Sequence, residues 1–164
     1  RQRQMCIRDR SNRGQMFWLD ENSPACIGPK RRPRTTLSPS LALKDGLPYM
    51  VFGTPGGDQQ DQWSLHLFLR HVHFGLNLQE AIDAPGFSTA HFPNSFYPRE
   101  TDIGHLAVEG RFPKETIDEL IKKGHKVIID DDWSLGRMTA ASKDNEILKA
   151  AANPRFMQGY AIGR

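Results

Sequence analysis

The sequence is poor in cysteine, in long apolar runs and in clustered charge, and each shortage removes a class of function. Two cysteines, Cys6 and Cys26, provide no framework of bridges and no metal-ligand spacing. No apolar stretch is long enough to cross a bilayer. The formal charge is only +3, and much of it comes from residues 1–13 and 30–34, so there is no broad basic face of the kind that binds nucleic acid. His66, His71 and His73 lack the further ligands of a zinc site and read as polar helix positions. Asp130, Asp131 and Asp132 lack the spaced ligands and glycine of a calcium loop. Neither a metal nor a cofactor is expected. What remains is a 164-residue chain with 25% charged residues, ordinary for a globular domain that buries a core.

Several segments carry local structural signals. Residues 1–13 read as a non-native or disordered tail without the h-region of a signal peptide, and residues 14–164 as one domain. Residues 21–39, rich in Pro, Ser, Thr and basic side chains, read as an extended loop. Asp45-Gly46 between two apolar runs predicts a hairpin of Leu41–Lys44 with Pro48–Gly53. Leu65, Leu69, Val72 and Leu76, with Trp63, Leu67 and Phe68 widening the stripe, predict the buried face of a helix that starts at Asp58 as N-cap and stops at Gly75. Asn77 with Glu80 predicts a capped second helix ending at Pro85. Residues 86–104 read as loop, 105–110 as a strand, PKETIDELIKKG as a helix and KVIID as a strand. A last hairpin turns near Asp144-Asn145. This order favours an α+β layered fold over regular βαβ winding.

Chemistry concentrates in "FGTPGGDQQDQW". Backbone N–H groups at the junction of a strand, two glycines and a helix suit an anion. A phosphate loop needs a Lys and Ser/Thr after its glycines, and here Asp58 follows Gly57 instead. Two adjacent amides also suit the transient oxyanion of acyl transfer. A tight packing corner explains the same glycines. In RRPRTTLSPS, Thr35 and Thr36 offer hydroxyls and Arg32 and Arg34 offer forked donors for a carboxylate, although a solvated loop has the same composition.

Together, RPRTTLSPSLALKDGLPYMVFGTPGG, FGLNLQEAIDAPGF, VEGRFPKETIDELIKKGHKV and AANPRFMQGYAIGR occur in an order that resembles the γ-glutamyltransferase (γ-glutamyltranspeptidase) family, over roughly residues 14–164, most of its C-terminal small subunit. The resemblance implies part of an N-terminal-nucleophile hydrolase fold, an αββα sandwich formed with a large subunit from the same self-cleaving precursor. It implies γ-glutamyl transfer or hydrolysis, with a glutathione-like donor and with water or an amino-acid or peptide amine as acceptor. An N-terminal Thr would attack the amide, with its own α-amine as base.

Gly56 and Gly57 match the family's oxyanion-hole glycines, and Thr35 and Thr36 stand at its Ser-Ser pair for the donor α-carboxylate, with Arg34 beside them. Asp20 or Glu21 falls where the family holds the donor α-amine, but the usual Asn pair is absent, which leaves an acylase with a different amide as an alternative. A non-catalytic anion- or amino-acid-binding domain of the same fold is the other. Nothing in residues 1–13 resembles the nucleophile's motif, and Thr35 is internal, so the chain is expected to be a piece truncated at its N-terminus and inactive alone. Compartment stays open, with periplasmic or secreted placement compatible with the resemblance and cytoplasmic placement not excluded.

Overall fold

The computed structural model describes residues 13–157 and 159–162. Seven strands and three helices follow in the order β1 (Ser40–Lys44), β2 (Leu47–Gly53), α1 (Gln60–Val72), α2 (Leu78–Asp83), β3 (Phe87–Thr89), β4 (His105–Glu109), α3 (Lys114–Lys122), β5 (Lys126–Asp130), β6 (Thr139–Asp144) and β7 (Ile147–Ala152). The predicted tail lies outside the described residues except for Arg13.

An antiparallel sheet runs β1-β2-β6-β7. Its hairpins turn where the sequence places them: Asp45 and Gly46 both take positive φ (53° and 80°), as does Asn145 (55°). Cross-strand rows alternate between two environments. The row Ser40, Phe52, Ala140, Ala151 faces the helices, whereas Leu41, Val51, Ala141 and Ala150 form an exposed apolar row. The core lies on the helix side, where Met50, Met138, Ala140 and Ala151 pack with Leu67 of α1 and with Leu78, Ala81 and Ile82 of α2. One sheet face is thus covered by the helices and the other is exposed.

A smaller sheet, β3-β4-β5, pairs β4 and β5 in parallel, with α3 as their crossover. One βαβ unit therefore sits inside the α+β arrangement. β3 falls within the stretch predicted to be loop. It forms because α1 clasps it: the Gln62 amide donates to Thr89 O (3.0 Å) and accepts from Thr89 N (2.8 Å), while the His66 ring lies on Phe87 with centroids 3.9 Å apart.

The buried face of α1 also departs from expectation. Leu65 (54% exposed) and Val72 (42%) point outward, whereas Gln60 and Ser64 are buried beside the expected Leu67. Trp63 and Phe68 pack against the core as expected, and Tyr49 joins them. The stripe shares its place with polar residues because α1 touches two sheets: Gln62 bonds β3 through Thr89, and buried Gln60 accepts from Ser38 Oγ. His71 joins α1 to β2: its Nδ1–H donates to Leu76 O (2.8 Å), so its Nε2 accepts from the Tyr49 hydroxyl (2.8 Å). In α2 the expected capping box is present, with Glu80 N to Asn77 Oδ1 and Asn77 N to Glu80 Oε2 both 2.9 Å.

Candidate active site

β2 ends at Gly53 and the chain turns through Thr54, Pro55, Gly56 and Gly57 into a 3-10 turn, Gly57–Gln59, ahead of α1. Gly56 has φ 142° and Gly57 φ 65°, values that L side chains rarely adopt. A Cβ on Gly56 would lie 2.3 Å from Cζ3 of Trp63, so the indole forms the floor of the turn and only glycine fits above it. Neither Gly56 N–H nor Gly57 N–H finds an acceptor among the described residues. Two neighbouring amide donors, one exposed and one half-buried, are therefore available to an external oxygen.

Asp58 is not the N-cap of α1, which begins after Gln59 without a side-chain cap. Its carboxylate instead takes both the N–H (2.8 Å) and the hydroxyl of buried Ser95, and Arg34 Nη2 lies 3.7 Å away. The turn is thereby tied to the 94–99 loop, and the Asp58 carboxylate is engaged by Ser95 and Arg34. In the same way Ser38 Oγ reaches Gln60 Oε1 (3.5 Å). Arg34 and Ser38 thus bring the Thr35-Thr36 segment against the Gly57–Gln60 side of the turn. Thr36 is buried, and Thr35 is exposed with its hydroxyl accepting Leu37 N–H (3.2 Å).

Asp20 and Glu21 are on a separate loop, closed by Trp18 N to Ala25 O (2.9 Å) and Ile27 N to Trp18 O (3.0 Å). Both are exposed, and the Asp20 carboxylate folds back to accept Asn22 N–H (2.9 Å). Arg99 secures this loop by donating to Phe17 O (2.5 Å) and placing its guanidinium 4.6 Å from the Trp18 ring. Through Arg99, Ser95 and Asp58, that loop and the glycine turn share one support.

Sequence reasoning missed the most buried polar group. Glu109 and Arg155, 0% and 2% exposed, form a two-pronged pair, Nε–Oε1 and Nη2–Oε2 both at 2.6 Å. Gly86 N (2.8 Å), Leu135 N (2.9 Å) and Arg111 Nη2 (2.7 Å) complete the carboxylate's shell. Burial alone would raise the Glu109 carboxyl, but these hydrogen bonds, Arg155 first, bring it below its ordinary value. Arg155 Nη1 also caps Ile82 O (3.0 Å) and Arg70 Nη2 caps Pro85 O (2.6 Å), so the end of α2, β4 and the turn after β7 meet at one carboxylate. The available signal was a charged residue ending the apolar strand HLAVE. His66, under Phe87, is lowered to about 4 by burial and by the nearby Arg70 charge. Among the described residues no three His, Cys, Asp or Glu side chains gather to hold a metal.

The chain has known relatives. The family model described as gamma-glutamyltranspeptidase matches residues 4–163. The chain is 35% identical to the glutathione hydrolase-like YwrD proenzyme of Bacillus subtilis, over 93% of its own length and 28% of that protein's. It is likewise 35% identical to the oxamate amidohydrolase proenzyme of Klebsiella pneumoniae, again over 93% and 28%. It spans about a quarter of the length of these relatives. The solved structure of LmbA2991HD is 53% identical with a TM-score of 0.84, over 91% of this chain and 27% of that one. On the family match along nearly its whole length, the chain belongs to the γ-glutamyltranspeptidase family of enzymes, with the N-terminal-nucleophile hydrolase fold.

Proposed function

We propose that the protein to which this chain contributes cleaves glutathione-type γ-glutamyl amides through a γ-glutamyl-enzyme, and that Gly56 and Gly57 form its oxyanion hole. The observation that carries the reading is the pair of adjacent amide donors without acceptors, held on the Trp63 ring by positive-φ geometry.

In this reading an N-terminal Thr, absent from the described residues, adds its Oγ to the amide carbonyl carbon and its α-amine takes the hydroxyl proton. Charge arriving on the carbonyl oxygen is met by the two N–H groups, each worth about 3 kcal/mol in the transition state. Collapse breaks the C–N bond, and the amine leaves with that proton. Water or a second amine then attacks the ester and releases glutamate or a new γ-glutamyl amide. Thr35 and Thr36 hold the donor α-carboxylate with Arg34 alongside, and Asp20 or Glu21 holds the α-amine. The bare row Leu41, Val51, Ala141, Ala150 receives the second sheet, contributed by the large subunit of the same precursor. Without those parts this chain alone does not turn over.

The test is release of p-nitroaniline from γ-glutamyl-p-nitroanilide by the full-length, self-processed protein and by the 164-residue chain. Turnover by the former and none by the latter is expected. No turnover by the full-length protein refutes the donor assignment, and robust turnover by the chain alone refutes the role of the external Thr. A second reading, an amidohydrolase acting on another amide, is favoured by Asp20 folding back on Asn22 and by the missing Asn pair. Turnover of oxamate in preference to the γ-glutamyl substrate would select it. Binding without turnover of either would select a non-catalytic domain.

A further inference from the structure

Thr54 is half-buried between the end of β2 and the glycine turn, and its hydroxyl takes part in two hydrogen bonds. It accepts the Arg137 N–H (3.2 Å) and donates to Pro55 O (2.7 Å). A hydroxyl has one proton to give, so the bond accepted from Arg137 leaves that proton for the carbonyl. The Arg137 amide is fixed in turn. Two residues earlier, Leu135 N–H donates to buried Glu109 Oε1 (2.9 Å), and between them a Cβ on Gly136 would touch the Trp63 ring at 3.6 Å.

Pro55 O belongs to the same peptide group as Gly56 N–H. That group is planar and trans, so its C=O and N–H point in opposite directions, and holding the oxygen sets the direction of the N–H. Unanchored, this plane turns over readily. A peptide between Pro and Gly can take the type I or the type II orientation, because glycine accepts either sign of φ. The Trp63 ring fills the space beneath Gly56 but does not hold the plane by a hydrogen bond, since its Nε1 has no partner among the described residues. A hydrogen bond received by the carbonyl also polarises the amide and strengthens its N–H as a donor.

We infer that Thr54 is a positioning residue of the oxyanion hole: its hydroxyl locks the Pro55–Gly56 peptide with the Gly56 N–H turned to the reacting carbonyl oxygen. Arg137 N–H, Thr54 Oγ–H and the Pro55–Gly56 amide form a relay of aligned dipoles that ends on the developing negative charge, with no proton transferred. The inference rests on the reading of Gly56 and Gly57 as the oxyanion hole.

Thr54→Val removes the hydroxyl and keeps the branched shape, whereas Thr54→Ser keeps the hydroxyl. Release of p-nitroaniline from γ-glutamyl-p-nitroanilide is measured on the full-length, self-processed protein, with inhibition by the boronic-acid analogue of glutamate as a second readout. Thr54→Val should lower kcat about ten-fold, the scale of one neutral hydrogen bond, and weaken boronate inhibition by the same factor. KM should stay within about two-fold, because the bond acts on the transition state, and Thr54→Ser should stay within about three-fold of wild type in kcat. Wild-type kcat in Thr54→Val, a rise in KM that matches the fall in kcat, or Thr54→Ser as impaired as Thr54→Val overturns the role. Where Thr54→Val fails to fold or to process itself, the wild-type crystal structure decides. A Thr54 Oγ1 within about 3.0 Å of Pro55 O sustains the lock, and one beyond about 3.5 Å overturns it. A wild type that turns over no amide refutes the acyl-transfer reading itself, whereas an active wild type matched by Thr54→Val refutes only the part given to Thr54.

Discussion

Gly56→Ala is the substitution that the turn geometry penalises most. The new Cβ would lie 2.3 Å from Trp63 Cζ3, whereas carbon atoms settle at about 3.5–4.0 Å, so ring and backbone must separate by roughly 1 Å or more. The φ of 142° adds strain that no side-chain movement relieves. A displacement of this size carries the amide off the oxyanion. Loss of one such donor lowers kcat by about 10²–10³, or about 3–4 kcal/mol.

Gly57→Ala is the internal control. Its Cβ meets only Phe96 Cε2, at 3.9 Å, and φ 65° is a left-handed conformation that costs alanine about 1–2 kcal/mol. With its N–H direction kept, that strain is common to the ground and transition states, so it should appear in the melting temperature while kcat falls less than about ten-fold. The assay is steady-state release of p-nitroaniline by full-length protein, with circular dichroism and thermal melting to confirm folding. Trp63→Ala added to Gly56→Ala removes the clash but not the φ strain, so it should restore activity only in part. A folded Gly56→Ala variant with near wild-type kcat, or a Gly57→Ala variant impaired as severely as Gly56→Ala, would refute the reasoning.

Other outcomes follow from the same contacts. Glu109→Gln leaves buried Arg155 without its counter-charge and should destabilise the fold by about 3–5 kcal/mol, read from the denaturant midpoint. Because the Glu109 carboxyl lies below its ordinary value when folded, its contribution is complete above pH 4.5 and is lost as pH falls through the folded value; Glu109→Gln should flatten that acid limb. His66 binds its proton at about 4 in the fold and at 6.5 when unfolded, so its stabilising contribution is complete above pH 6.5 and declines as pH falls toward 4. A titration of its ring resonances should show no protonation near pH 6, and a midpoint at 6.5 would contradict the packing on Phe87. Ser95→Ala removes the hydroxyl from Asp58 and should raise proteolytic cleavage within residues 94–99, while Thr36→Ala should raise KM for the γ-glutamyl donor with a smaller change in kcat.

Short-range signals carried much of the fold into the sequence. Asp45-Gly46 and Asp144-Asn145 mark turns because their backbone demands are local, and Asn77 with Glu80 marks a cap for the same reason. β4, α3 and β5 are likewise legible from alternation and end charges. What was hidden depends on partners distant in sequence. Leu65 and Val72 make an apolar stripe, yet the buried side of α1 includes Gln60 and Ser64. β3 exists through its clasp with Gln62, 27 positions away. At the site, the glycines were legible because they need bare backbone. The diversion of Asp58 to Ser95, the Trp63 floor and the Glu109–Arg155 pair each join segments that no local pattern connects.

The central claim is that Gly56 and Gly57 stabilise an oxyanion, and a tetrahedral adduct tests it most directly. The full-length, self-processed protein is crystallised with the boronic-acid analogue of glutamate, in which boron replaces the γ-carbonyl carbon. The account predicts one boronate oxygen within about 2.7–3.1 Å of both Gly56 N and Gly57 N, the reach of an oxyanion donor. An adduct whose oxygens all lie on other donors or in solvent, with both glycine amides still unoccupied, would contradict it.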